Sequence, residues 1–204
     1  MSFKKNKYLV IKEAIPKDIA EFCYNYFLLK KIVAKTLFDT KYISPFTKDW
    51  GIWNDVQVPE TYSHYADIAM ETLLIRTLPV MEKKTGLKLN PSYSYARVYK
   101  KGDVLKKHTD RFSCEISTTM NLGGDKWPIY LKSNNKKIKV DLNPGDMLVY
   151  RGCDLEHWRE VFTGKDCVQV FLHYNNVTTK GASKNIFDGR KHLGLPGWFR
   201  RNIK

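Results

Sequence analysis

From Tyr93 to Asn176 the chain is cut into short segments at a nearly constant interval, and this rhythm limits the fold more than any other feature. Tyr93-Ser-Tyr-Ala-Arg-Val-Tyr99 alternates as a strand does, and Lys100-Lys-Gly-Asp103 reads as a turn. Further strands are expected over 112–120, 127–132, 137–142, 147–151, 155–162 and 167–174. Gly123-Gly124, Asn134-Asn135, Asn143-Pro-Gly-Asp146 and Thr163-Gly-Lys-Asp166 separate them with turn-forming residues. Segments this short have to bury their apolar sides against one another, so the spacing predicts an all-β sandwich or barrel.

The residues before this stretch have another texture. Residues 8–15 read as an edge strand leading into a helix, with Pro16 in the first turn, where its missing N–H costs nothing. Ile19, Phe22, Cys23, Tyr26 and Phe27 recur at helical spacing and predict one core-facing side. A second helix is expected from about Ser63 to Lys84, with Tyr65, Ile68, Ala69, Thr72 and Ile75 on its buried side. Gly86 would end it, and Pro79 would kink or split it. His64, at its start, reads as a surface or capping histidine. Between the helices, 39–62 shows no period and holds Tyr42, Phe46, Trp50 and Trp53. A long irregular loop is expected there, suited to a lid or binding edge, or equally to a structural flap. The fold class is mainly β with N-terminal helices.

Within the β region, His108-Thr109-Asp110 and His157 stand out. Residues two apart on extended chain point to the same side, so His108 and Asp110 can grip one ion together. His157 follows the Pro144-Gly145-Asp146 turn and opens a segment that can face them. Two imidazoles and one carboxylate hold Fe(II) through three positions and leave the others open. The same ligands would serve a hydrolytic Zn(II), which also needs a carboxylate base, with Glu156 and Glu160 as the neighbours to consider. A surface histidine among Lys106, Lys107 and Arg111 is the plain alternative for His108, and it leaves the offset of Asp110 unexplained.

Taken in order, Tyr99-Lys-Lys-Gly102, His108-Thr-Asp110, Met120-Asn-Leu-Gly-Gly124, Pro144-Gly-Asp146 and His157 resemble the 2-oxoglutarate- and Fe(II)-dependent oxygenases, most closely the prolyl 4-hydroxylase-like branch. The resemblance spans Tyr95 to Tyr174, a little under half the chain. It implies a double-stranded β-helix core of jelly-roll or cupin type, flanked by the two α-helices. One oxygenase domain would cover 1–176, with a helical preface over about 14–86 and the core over about 91–176, and a basic C-terminal tail would cover 177–204. It further implies Fe(II) on His108, Asp110 and His157, 2-oxoglutarate as co-substrate contacted by Tyr99, and ascorbate as an optional accessory.

That family usually places Arg or Lys nine or ten residues beyond the distal histidine, to grip the far carboxylate of 2-oxoglutarate. Asp166 and Cys167 stand there in this chain. Arg159, two residues after His157 and on its face, is the first replacement, Lys165 the second, and Arg97, in phase with Tyr95 and Tyr99, the third. Thr119 shares a strand face with Asn121, and Gln169 with Phe171 and His173; if inward, these faces line the pocket, with Trp50 and Trp53 at its outer edge. The implied reaction hydroxylates a substrate and releases succinate and CO2. The branch points to a prolyl or other protein side chain. A nucleic acid base or small metabolite is the alternative substrate, and a non-catalytic β-helix binding module is a reading of another class, favoured by the missing cation.

Lys and Arg number 35 against 21 Asp and Glu, a net charge of +14. Such a surplus suits an anionic partner, nucleic acid among them, or reflects a habit of the surface. Cys23, Cys114, Cys153 and Cys167 show no CxxC spacing, and neither a leader nor a membrane-length apolar run is present. Reduced thiols, a cytoplasmic location and no membrane contact are therefore expected.

Overall fold

The alternation in the sequence becomes two antiparallel sheets. The structure, a computed structural model, describes residues 3–200. In chain order these form α1 (Phe3–Asn6), β1 (Tyr8–Ile11), α2 (Lys17–Asp39), β2 (Tyr62–Tyr65), α3 (Ile68–Thr85), β3 (Leu89–Lys100), β4 (Leu105–His108), β5 (Ile116–Gly124), β6 (Ile129–Ser133), β7 (Lys136–Val140), β8 (Met147–Arg151), β9 (His157–Arg159) and β10 (Asp166–Asn176). Six strands make the larger sheet, in the order β1-β8-β5-β10-β3-β2, and four make the smaller, β4-β9-β6-β7. This is the double-stranded β-helix that the motif order implied.

Period-two alternation divides the larger sheet into two working faces. On β10, Val168, Val170, Leu172 and Tyr174 join α2 and α3 in one core, together with Ala96 and Val98 of β3 and Met120 and Leu122 of β5. Ala20, Cys23 and Phe27 of α2, and Met70, Leu74 and Met81 of α3, supply the helical side of that core. The opposite face carries Tyr93, Tyr95, Arg97 and Tyr99 of β3 against His173, Phe171, Gln169 and Cys167 of β10, pair by pair. That second face looks toward the smaller sheet and builds the site.

Several sequence expectations need correction. The second helix starts at Ile68, not Ser63, because Asp67 caps it: its Oδ1 accepts from the amides of Ala69 and Met70 at 3.0 and 3.2 Å. Residues 62–65 instead pair with β3 as a strand. The helix runs through Pro79 without splitting and ends at Gly86, as expected. Its buried side is Met70, Leu73, Leu74, Thr77 and Met81, whereas Ile68 and Ile75 are exposed. On α2, Cys23 and Phe27 enter the core with Ile19 and Tyr26 packed against it, as expected, and Phe22 of that set faces out. Periodicity found apolar stripes on both helices, but the cap geometry and the sheet contacts chose which stripe to bury. Residues 112–114 form a short 3-10 turn before β5, and the segment expected over 155–162 shortens to β9. The tail packs back: Arg190 is buried with its Nη2 2.7 Å from Glu71 Oε1 on α3.

Candidate metal and co-substrate site

His108 ends β4 and His157 begins β9, and antiparallel pairing sets them directly opposite each other. Each ring points its Nδ1 at a main-chain carbonyl: His108 at Lys106 O (2.8 Å) and His157 at Leu155 O (3.0 Å). A carbonyl only accepts, so Nδ1 carries the proton in both rings and Nε2 offers a lone pair. Both Nε2 atoms turn toward Asp110 Oδ1, at 3.7 and 3.6 Å. The three donor atoms lie within 4.8 Å of one another, a cluster able to hold one metal ion. Burial pushes the His157 imidazole below its ordinary pKa, with the Asp110 charge opposing, and so favours the neutral, ligating form.

Asp110 is aimed by its surroundings. Its Oδ2 accepts from Ser117 Oγ at 2.6 Å, which leaves Oδ1 for the cluster. Ser117 has one hydroxyl proton; with that given to Asp110, its oxygen accepts from His173 Nδ1 at 3.1 Å. Burial pushes His173 down to about 4, so it is neutral near pH 7. Gly152 passes so close that a Cβ there would stand 2.3 Å from Asp110 Oδ2, and its carbonyl accepts from the Asp110 amide at 2.8 Å. None of Ser117, Gly152 or their roles was visible in the sequence, although Ser117 alternates in phase with Thr119.

Beneath the cluster lies Arg159, 1% exposed and on the His157 face of β9. One guanidinium nitrogen donates to the Trp127 carbonyl, another to Thr119 Oγ1 at 3.2 Å, and Nε has no partner. Among the described residues no carboxylate pairs with it; its polar neighbours are Cys167, Tyr99 and Tyr150. Burial therefore pulls its pKa below the usual arginine value. Thr119 donates to Gln169 Oε1 at 3.0 Å, and Gln169 in turn to Cys167 Sγ at 3.2 Å. Tyr99 is fully buried, its ring 4.7 Å from Trp127. Arg159, Tyr99, Thr119 and Gln169 thus form a buried polar cluster with one cation and, among the described residues, no anion; none of the four lines the open cavity above the ligands. An orphaned guanidinium in that place fits a small dicarboxylate held beside the metal.

A cavity of about 480 Å³ opens above the cluster, lined by His108, Asp110 and His157 with Tyr93, Tyr95, Arg97, Phe171 and His173. Arg97 lines this cavity and its Nε, like that of Arg159, has no partner, but its charge is already met: Nη2 lies 2.9 Å from Asp55 Oδ2 and 2.7 Å from Gln57 Oε1. Burial would raise the Asp55 carboxyl, but the Arg97 charge and the Tyr95 hydroxyl outweigh it and hold the acid below its ordinary range. Lys165 is exposed, tied only through its amide to Asp125, and does not reach the cavity. Asn121 braces a turn instead, donating to Leu142 O at 2.9 Å. Trp50 and Trp53 also miss the cavity, because Trp53 packs between Phe38 and Tyr62 while Trp50 supplies the carbonyl that Tyr62 bonds. The loop does reach the site, through Asp55, Val56 and Gln57. Glu160 pairs with Lys137 at 2.6 Å, and neither it nor Glu156 lines the cavity. His64 is buried beside Asp67 rather than on the surface, and it is not part of the cluster.

No family model matches the sequence, and no curated protein does. Solved structures match over most of the chain. A prolyl-4-hydroxylase of Pseudomonas putida is 12% identical, with 85% of this chain and 95% of that one covered and a TM-score of 0.61. AviO1 of Streptomyces viridochromogenes is 10% identical over 88% and 94%, with a TM-score of 0.64. HygX of Streptomyces hygroscopicus, solved with nickel, 2-oxoglutarate and hygromycin B, is 12% identical over 86% and 85%, with a TM-score of 0.61. At such identities the likeness shows the fold: the chain shares the jelly roll of the 2-oxoglutarate- and iron-dependent oxygenases.

Proposed function

We propose that the chain is a non-heme Fe(II)- and 2-oxoglutarate-dependent oxygenase, with the metal on His108, Asp110 and His157 and the distal carboxylate of 2-oxoglutarate on Arg159. The observation that carries this reading is the buried, anion-free Arg159 one strand-face step from a converging His/Asp/His cluster. A metal hydrolase has no use for such a cation; Glu156 and Glu160 lie outside the cavity, and Asp55, the carboxylate that lines it beside Asp110, is committed to Arg97 and Tyr95. A non-catalytic binding module has no use for the locked imidazoles.

Iron with 2-oxoglutarate and O2 would supply the oxidising chemistry: O2 is the four-electron oxidant, one of its oxygen atoms ending in succinate as CO2 leaves and the other in the hydroxylated C–H bond. The protein's part is placement. Carbonyl-locked Nδ1 protons fix both imidazole tautomers, and Ser117 holds Asp110 to one free oxygen. Arg159 would hold the far carboxylate, with Thr119 bonded to the guanidinium and Tyr99 and Trp127 packed beside it. A neutral His173 keeps further positive charge away from the metal ligands. No protein group has to gain or lose a proton for the cycle to turn.

The substrate reading we favour is a prolyl or other protein side chain, supported by the order of motifs. It would enter between the Asp55–Gln57 loop and the aromatic wall of Tyr93, Tyr95 and Phe171. Succinate release from 2-oxoglutarate, with and without proline-containing peptides, tests the activity. His108→Ala and Asp110→Ala are expected to abolish release while leaving the melting profile largely unchanged. Succinate formation that persists in both variants would end the proposal.

A further inference from the structure

The long helix α2 carries more apolar surface than the fold uses. On α2, Phe22, Leu29 and Ile32 are 67%, 63% and 64% exposed, and Val33 is 37% exposed. With Asn25 these residues fall within about 100° of the helix circumference, opposite the buried Ala20, Cys23, Phe27 and Ala34. A contiguous apolar stripe on a solvent-facing helix marks an interaction surface.

Charge says which partner fits. Beside the stripe, Glu21, Leu28 and Lys35 recur at seven-residue spacing, the two charged residues exposed and Leu28 half-buried, with part of its side chain packed against the chain's own core. Set against a second copy in the same direction, this row would oppose glutamate to glutamate and lysine to lysine. Set antiparallel, it places Glu21 against Lys35 of the partner subunit twice, with Leu28 facing its own image. Lys35 now pairs only with the exposed Asp39 of its own helix, at 2.7 Å, and stays available. We propose that α2 joins two copies of this chain, antiparallel about a two-fold axis near Leu28 and Leu29.

The exposed parts of Phe22, Leu29, Ile32 and Val33 come to roughly 400 Å² per chain, so roughly 800 Å² across the two-fold before the flanks are added. Specific interfaces start near about 1,200 Å² in total. The contact is therefore a small, reversible one.

Sedimentation of the full chain tests this. The mass is expected to rise from one 23.9 kDa chain toward two as concentration passes through about 1–100 µM. Leu29→Glu, at an exposed position on the axis, is expected to hold the protein monomeric with an unchanged melting temperature. Glu21→Lys alone weakens the dimer at least about tenfold, and Glu21→Lys with Lys35→Glu restores it. A wild-type chain that stays monomeric at about 100 µM overturns the proposal, as does a dimer indifferent to Leu29→Glu. A charge-swapped pair that fails to regain the dimer refutes the antiparallel arrangement, and both charged positions are exposed enough to be changed without unfolding.

Discussion

Replacing Arg159 by Met separates a co-substrate anchor from a structural cation, because the two effects have opposite signs. Arg159 is fully enclosed, has no carboxylate partner among the described residues and has one unsatisfied N–H. An uncompensated buried charge is costly, and well-packed apolar replacements of buried ions are often neutral or stabilising. Met fills much of the same volume and Thr119 keeps its bond to Gln169, while the Trp127 carbonyl loses its Arg159 donor and offsets about 1–3 kcal/mol of the gain. Without 2-oxoglutarate the variant should therefore be as stable as the wild type or up to about 3 kcal/mol more stable, a rise of up to about 10 °C in Tm for a chain of this size. With 2-oxoglutarate the order reverses. Losing a charge-assisted, two-point grip on a carboxylate in a dry site costs about 3–4 kcal/mol, or about 10²–10³-fold in Kd. Thermal melts with and without 2-oxoglutarate measure both effects. Trp127, 5.0 Å from the guanidinium, gives a fluorescence titration as an independent check. A variant that melts lower than wild type and binds 2-oxoglutarate unchanged would refute the assignment.

Other consequences follow from buried groups. Asp67 caps α3 and also receives Tyr26 and Lys30, so Asp67→Asn should cost about 2–4 kcal/mol at pH 7 in denaturant unfolding. Burial would raise this carboxyl, but its His64 and Lys30 contacts outweigh burial and hold it well below the ordinary value. Its contribution is therefore complete above about pH 4 and is lost as pH falls through the depressed folded value, so the gap between variant and wild type should close in acid. Glu71→Ala strands the buried Arg190 and should cost about 3–5 kcal/mol, with earlier proteolytic cutting in the tail. Gly152→Ala sets a methyl group against Asp110 Oδ2 and should weaken metal binding by about tenfold or more in a competition titration, with His108 and His157 untouched.

Much of the site was legible because it obeys period two. HxD on extended chain, the in-phase rows of β3 and β10, and Arg159 two residues after His157 all follow from one rule of strand geometry. Turn residues likewise marked most of the strand limits. What stayed hidden depends on contacts between distant segments. Asp55 and Gln57 reach the cavity from a loop without periodicity, while the more conspicuous Trp53 fills a gap beside Phe38. Trp127 closes the Arg159 end from an irregular link, and no local signal marks it. On α2 the expected side met the core except at Phe22, whereas α3 misled: it offers two apolar stripes, and the one through Ile68 and Ile75 faces out. Asp146, read as part of the turn motif, also fastens Lys12 and the Glu13 amide to that turn.

The most direct test of the central claim is an absorption titration without oxygen, adding Fe(II) and then 2-oxoglutarate to the full chain. A visible charge-transfer band that forms with wild type, disappears in His108→Ala and needs far more 2-oxoglutarate in Arg159→Met is the expected result. Folded, Fe(II)-loaded wild-type protein that shows no band at any 2-oxoglutarate concentration would contradict it.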